Sequence, residues 1–92
     1  MVRVRVLYFA SAREALDGLA EEMLEVVGKD GSDETSMADV VAELKRRHGE
    51  ALEELLYVCG FALNEQYTAG SLESVALAEG DTVALIPPIS GG

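Results

Sequence analysis

The sequence predicts an α+β fold, a mixed sheet with one main helix packed across one face. Three segments carry that reading. Val2 to Phe9 (V-R-V-R-V-L-Y-F) alternates apolar and basic residues at its start and turns apolar on both faces at its end, the pattern of a strand that becomes more central as it proceeds. Ser36 to His48 places Met37, Val40, Val41 and Leu44 at i, i+3, i+4 and i+7, one apolar helical stripe. Thr82 to Ile86 (T-V-A-L-I) is again apolar on both faces. The first and last strands are the most apolar, so they are expected side by side in the middle of the sheet.

The remaining elements follow in order. Ser11 to Gly18 reads as a short helix, with Ser11 and Glu14 at capping-box spacing and Gly18 as its stop. Glu21 to Val27 is a second strand able to pair with the first. Residues 28–34 (G-K-D-G-S-D-E) form a polar loop. The long helix is capped by Thr35 or Ser36. Asp33, Glu34 and Asp39 stand at its positive end, Lys45, Arg46 and Arg47 at its negative end, and Gly49 stops it. Leu52, Leu55 and Leu56 indicate a further short helical segment, and Val58 to Leu63 a buried strand. Asn64-Glu65-Gln66 is a turn, 73–77 a short extended piece, and Glu79-Gly80-Asp81 a turn before the last strand. Pro87 and Pro88 end that strand, since neither can donate a ladder hydrogen bond. This order of elements is the β-grasp, or ubiquitin-like, arrangement, with a domain over 1–87 and a flexible tail over 88–92.

Composition narrows the function. Ninety-two residues make one domain with a modest core and little room for a deep enclosed site. Seven basic against 17 acidic residues give a net charge of −10. Such a chain is repelled by nucleic acid and by anionic lipid, and its partners are expected to present basic surfaces. The single cysteine, Cys59, excludes an internal disulfide. No signal peptide or membrane-length apolar run is present, so the expected location is the cytoplasm.

The usual catalytic groups are sparse. His48, the only histidine, reads as a cation at a helix C-terminus, and no partner ligands for a metal stand at suitable spacing. Cys59 reads as a buried structural thiol within a strand. Glu50, Glu53 and Glu54 read as a solvated face. Leu7, Phe9 and Ile86 are assigned to the core, with an interface as the alternative. The exception is Pro87-Pro88-Ile89-Ser90-Gly91-Gly92, which directly follows a core strand. Five residues from Pro88 reach at most ~17 Å, enough to enter a partner's pocket. Glycines without a Cβ pass a narrow channel, and the carboxylate of Gly92 is sterically open to attack on the α-phosphate of ATP.

The sequence resembles the MoaD-like family, the small sulfur-carrier subunits of molybdopterin synthase. The resemblance spans nearly the whole chain. It rests on Leu7-Tyr8-Phe9-Ala10 with Ala12-Arg13-Glu14, on Ala62-Leu63-Asn64, on Glu79-Gly80-Asp81 and, most specifically, on the final six residues. It implies that an E1-like adenylyltransferase activates Gly92 with ATP and that a sulfur donor then leaves a thiocarboxylate there. The tail Pro88, Ile89, Ser90, Gly91 and Gly92 would enter the large subunit of the synthase and deliver sulfur to a cyclic pterin precursor. The chain would hold no stable cofactor or metal and would not be an enzyme by itself. Phe9, Arg13 and Glu14 are candidate docking residues. The alternatives are a ubiquitin-like protein modifier and a sulfur carrier for thiamine or cysteine synthesis.

Overall fold

In the computed structural model, residues 1–28, 31, 34–68 and 70–88 are described. The elements run β1 (Val2–Tyr8), α1 (Ala10–Ala15), β2 (Glu21–Val26), β3 (Thr35–Ser36), α2 (Met37–His48), α3 (Glu50–Val58), β4 (Gly60–Leu63), β5 (Gln66–Tyr67), a 3-10 turn (Leu72–Ser74), β6 (Ala76–Leu77) and β7 (Thr82–Ile86). The main sheet has the order β2-β1-β7-β4-β5. β1 and β7 are parallel and central, from Arg5 opposite Thr82 to Tyr8 opposite Leu85, as the apolar character of both strands predicts. The other pairings are antiparallel, and β3 and β6 form a separate two-residue ladder.

Strand alternation decides what is buried. Val4, Val6 and Tyr8 of β1 and Val83 and Leu85 of β7 share a face and pack against Met37, Val40 and Leu44 of α2 and Leu52 of α3. Burying side chains of this size stabilises by about 1.5–3 kcal/mol each before chain entropy is subtracted. The expected stripe on α2 is thus the observed core contact, with Val41 at its margin. Ser36 is the N-cap, and its backbone N–H donates to the Asp39 carboxylate at 2.8 Å. Gly49 ends α2 at φ 55, ψ −132, a conformation open to glycine, and the chain turns directly into α3.

Three local expectations are corrected. α1 begins at Ala10 with Phe9 as N-cap and no side-chain cap, so Ser11 and Glu14 form no capping box. The chain bends straight out of β1 through Ala10, at φ 48, which starts the helix before Ser11. Its C-terminus is closed at Gly18 as expected, with Asp17 and Gly18 both at positive φ and the Gly18 N–H donating to the Arg13 carbonyl at 2.9 Å. The expected strand over Val58 to Leu63 starts only at Gly60, because α3 runs on through Val58 and Cys59 is its C-cap. The piece expected to be extended over 73–77 is a 3-10 turn followed by the short β6. Finally, Asn64 and Glu65 make a two-residue hairpin, both at positive φ, which pairs β5 with β4.

Candidate functional site

Parallel pairing makes β1 and β7 finish at the same edge of the sheet. Tyr8 lies opposite Leu85, so Phe9 leaves the sheet beside Ile86. Pro87 is buried and Pro88 exposed, which places the exit of the chain at Pro88. α1 starts at this edge as well. The structure therefore gathers Phe9, which is 47% exposed, and the exposed Arg13 and Glu14 near the root of the tail. The expected site residues Ile89, Ser90, Gly91 and Gly92 lie outside the described residues.

Beside this exit, the sheet face turned away from the helices is apolar at its centre. The register aligns Leu7, Ala84, Ala62 and Tyr67 in one row across four strands. Ile86 and Gly60 are paired in the next. The Tyr67 ring stands over Gly60, where an added Cβ would make an ordinary contact with it at 3.7 Å. Tyr67 is 73% exposed. Arg3 and Arg5 flank the patch, paired with Glu79 at 3.4 Å and Glu21 at 3.3 Å. The assignment of Leu7, Phe9 and Ile86 to the core is thereby corrected. Leu7 and Ile86 are half-buried on the uncovered face, and Phe9 is outside the sheet. The outer surface of a central strand is shielded by its neighbours on both sides, so in sequence it reads like core.

Behind the same edge lies a polar cluster that the linear pattern did not reveal. Glu22 of β2 accepts hydrogen bonds from the Tyr8 hydroxyl, from Arg47 Nη1 at 2.8 Å and from the His48 ring at 2.5 Å. Burial opposes ionisation of Glu22, but these bonds, Tyr8's foremost and then those of His48 and Arg47, outweigh it and hold the carboxyl below its usual range. Burial and then the bond to Glu22 push the Tyr8 phenol well above its ordinary value. The one available signal was parity: Glu22 shares its strand face with the buried Leu24 and Val26, and an acid there needs partners. His48 does sit at the end of α2 as expected, and it also ties that end to the sheet.

Cys59 is not within a strand. It is half-buried at the junction of α3 and β4, and burial pushes its thiol above the ordinary value, which disfavours the nucleophilic thiolate. Among the described residues, no three His, Cys, Asp or Glu side chains converge to hold a metal, and no helix is long and apolar enough to cross a membrane. Glu50, Glu53 and Glu54 are exposed on α3.

A central parallel strand pair crossed by one long helix, with the chain leaving at the end of the last strand, defines the ubiquitin-like β-grasp proteins. The ThiS family model matches residues 6–92. The molybdopterin synthase sulfur carrier subunit of Chlamydomonas reinhardtii is 37% identical over 91 residues, 99% of this chain and 100% of that protein. The small archaeal modifier protein 1 from Methanosarcina acetivorans has the same fold at a TM-score of 0.74 and 25% identity, over 100% of this chain and 98% of that one. A chain in the complex of subunits 1 and 2 of the molybdopterin-converting factor from Helicobacter pylori shares the fold at 0.69 and 24% identity, over 99% of this chain and 100% of that one. The chain belongs to the ThiS family, among the relatives of the molybdopterin synthase sulfur carrier subunits.

Proposed function

We propose that the chain carries sulfur for molybdopterin synthase as a thiocarboxylate on Gly92. The Gly92 carboxylate attacks the α-phosphate of ATP, held by an E1-like enzyme, and pyrophosphate leaves. A sulfur nucleophile then displaces AMP from the acyl carbon. In the large subunit of the synthase, the thiocarboxylate sulfur bonds to the cyclic pterin precursor with loss of an oxygen group, and water then cleaves the acyl–sulfur bond and restores the Gly92 carboxylate. Activation is needed because oxide is a poor leaving group and AMP a good one. Both catalytic centres belong to the partners, and this chain supplies the carrier end and the surface that presents it.

The observation that carries the reading is the placement of the exit. Pro87 is fixed in the fold and Pro88 is exposed, at the end of the central parallel pair. A rigid root of this kind sets where the five residues from Pro88 to Gly92 begin. The neighbouring face of Leu7, Ala84, Ile86 and Tyr67 offers an apolar surface through which a large subunit can bind beside the tail. Its central, desolvated contacts would dominate affinity.

Intact-mass measurement of the chain, after incubation with an activating enzyme, ATP and a sulfur donor, tests the proposal. The expected result is an oxygen-to-sulfur increment that maps to Gly92 and vanishes when Gly92 is deleted. An increment that survives the deletion would place the sulfur elsewhere.

A further inference from the structure

Beyond the tail and the sheet face, the described residues form an open groove of about 980 Å³ between the first turns of α2, the 3-10 turn and the β3–β6 ladder. Its charged side chains are all acidic: Glu34, Asp39 and Glu73. Its apolar floor is short-chained, with Ala38 and Ala42 one turn apart on α2 and Leu77 opposite. Serine hydroxyls, Ser36 on one wall and Ser74 on the other, complete it. Ser74 donates its proton to the Ser71 carbonyl at 2.7 Å, which leaves its oxygen as an acceptor. Thr35 also lines the groove; it is 5% exposed, and its hydroxyl has no hydrogen-bond partner among the described residues.

These features select the occupant. An anion would gain little from the positive end of α2, because the Asp39 carboxylate already accepts from the Ser36 N–H there. A metal ion lacks a converging set of ligands among the described residues. A guanidinium fits: its planar fork of five donors matches carboxylates and hydroxyl oxygens together, while its aliphatic stem lies along alanine and leucine. The net charge of −10 draws such a partner to the chain, and the groove gives it an address.

Position separates the groove from the tail. The last turn of α2 is tied through His48 and Arg47 to Glu22, close to the edge where the tail leaves. α2 has 12 residues, so its first and last turns are ~12 Å apart along the helix. We infer that the groove at the N-terminal end of α2 is a second docking surface, for an extended, arginine-bearing segment of a protein partner. It can be filled while the sheet face and tail are engaged elsewhere, so the carrier can be held by one protein while it delivers to another.

The test uses the full chain, labelled with nitrogen-15, titrated with the peptide acetyl-Ala-Arg-Ala-Arg-Ala-amide at low salt. Amide shifts are expected to cluster at Ser36 to Ala42 and Glu73 to Leu77. The variant Glu73→Gln should weaken binding about two- to threefold, from one lost exposed charge contact. Glu53→Gln on α3 removes the same net charge and should change affinity little. An equal loss from the α3 variant, or shifts spread along α3, would reduce the effect to bulk charge and overturn the site. Tighter binding of spermine at the same residues would overturn the protein segment in favour of a small polycation.

Discussion

Asn64 and Asp81 meet across the sheet, with Asn64 Nδ2 donating to Asp81 Oδ1 at 3.1 Å. Asn64 Oδ1 in turn accepts from the Thr82 N–H at 2.9 Å, and Asp81 Oδ2 accepts from the Ala78 N–H at 2.8 Å. The Asp81 carbonyl also accepts from the Arg5 N–H, and Gly80 donates to the Arg3 carbonyl. The segments Ala62-Leu63-Asn64 and Glu79-Gly80-Asp81 therefore act as one latch that sets the start of β7 between β4 and β1. Asn64→Ala should destabilise the fold by about 2 kcal/mol, combining lost hydrogen bonds with strain at φ 50. Asn64→Gly removes the bonds but not the backbone freedom and should cost about 1 kcal/mol. Urea unfolding of the two variants separates the contributions, and equal losses would mean that the backbone conformation plays no part.

Stability should respond to pH at both ends through the Tyr8–Glu22 pair. The folded state lowers the affinity of Glu22 for its proton, so its contribution is complete above the ordinary carboxyl value of ~4.3 and fades as pH falls through the lowered folded value. Tyr8 is shifted the other way. Its contribution is complete below ~10 and is lost as pH rises beyond it, since the unfolded phenol ionises first. Thermal unfolding across pH should show Glu22→Gln flattening the acid limb and Tyr8→Phe flattening the alkaline one. Unchanged limbs would place the titrating groups elsewhere.

Glu65 occupies φ 74 in the hairpin between β4 and β5, a conformation that costs a side-chained residue roughly 1 kcal/mol. Glu65→Gly creates an Asn-Gly turn suited to the two-residue loop and should raise stability by about 0.5–1 kcal/mol. A lower melting temperature would show that the Glu65 side chain makes a compensating contact.

For Cys59, the junction position replaces the fully buried site expected from sequence. Cys59→Ser should cost under about 1 kcal/mol, because a half-buried hydroxyl keeps access to water. Sulfur loading at Gly92 should persist. Loss of loading by the folded variant would assign the thiol a part in sulfur handling.

The uncovered sheet face offers a test of partner binding. Leu7→Asp places a charge in the apolar row without entering the core. It should weaken association with a molybdopterin synthase large subunit by about tenfold or more, since a central contact is lost and a carboxylate is desolvated. Calorimetry would show it, and unchanged affinity would move the interface off this face.

Sequence pattern exposed the elements whose periodicity is long enough to register. β1, α2 and β7 carry alternation or a helical stripe over five or more residues, and their central placement followed from apolar character alone. The two-residue strands β3, β5 and β6 have no period to detect. Val58 and Cys59 resemble strand residues, yet α3 continues through Val58 because Leu52 and Leu56, one turn apart, keep the helix on the core. Of the site, Phe9, Arg13 and Glu14 could be proposed from motif resemblance, but their nearness to Pro88 depends on parallel register. The Glu22 cluster and the groove depend on contacts between distant segments, which no local pattern encodes.

The last-made strand of this domain is also the middle one. While the chain is being synthesised, β1 and β4 have no common neighbour, and the core face of the sheet lacks Val83 and Leu85. The nascent protein can therefore complete its sheet only after residues 82–86 have emerged from the ribosome. A product cut short before that strand would lose the middle of its sheet and be open to proteases. The architecture thus couples survival in the cell to possession of residues 82–86.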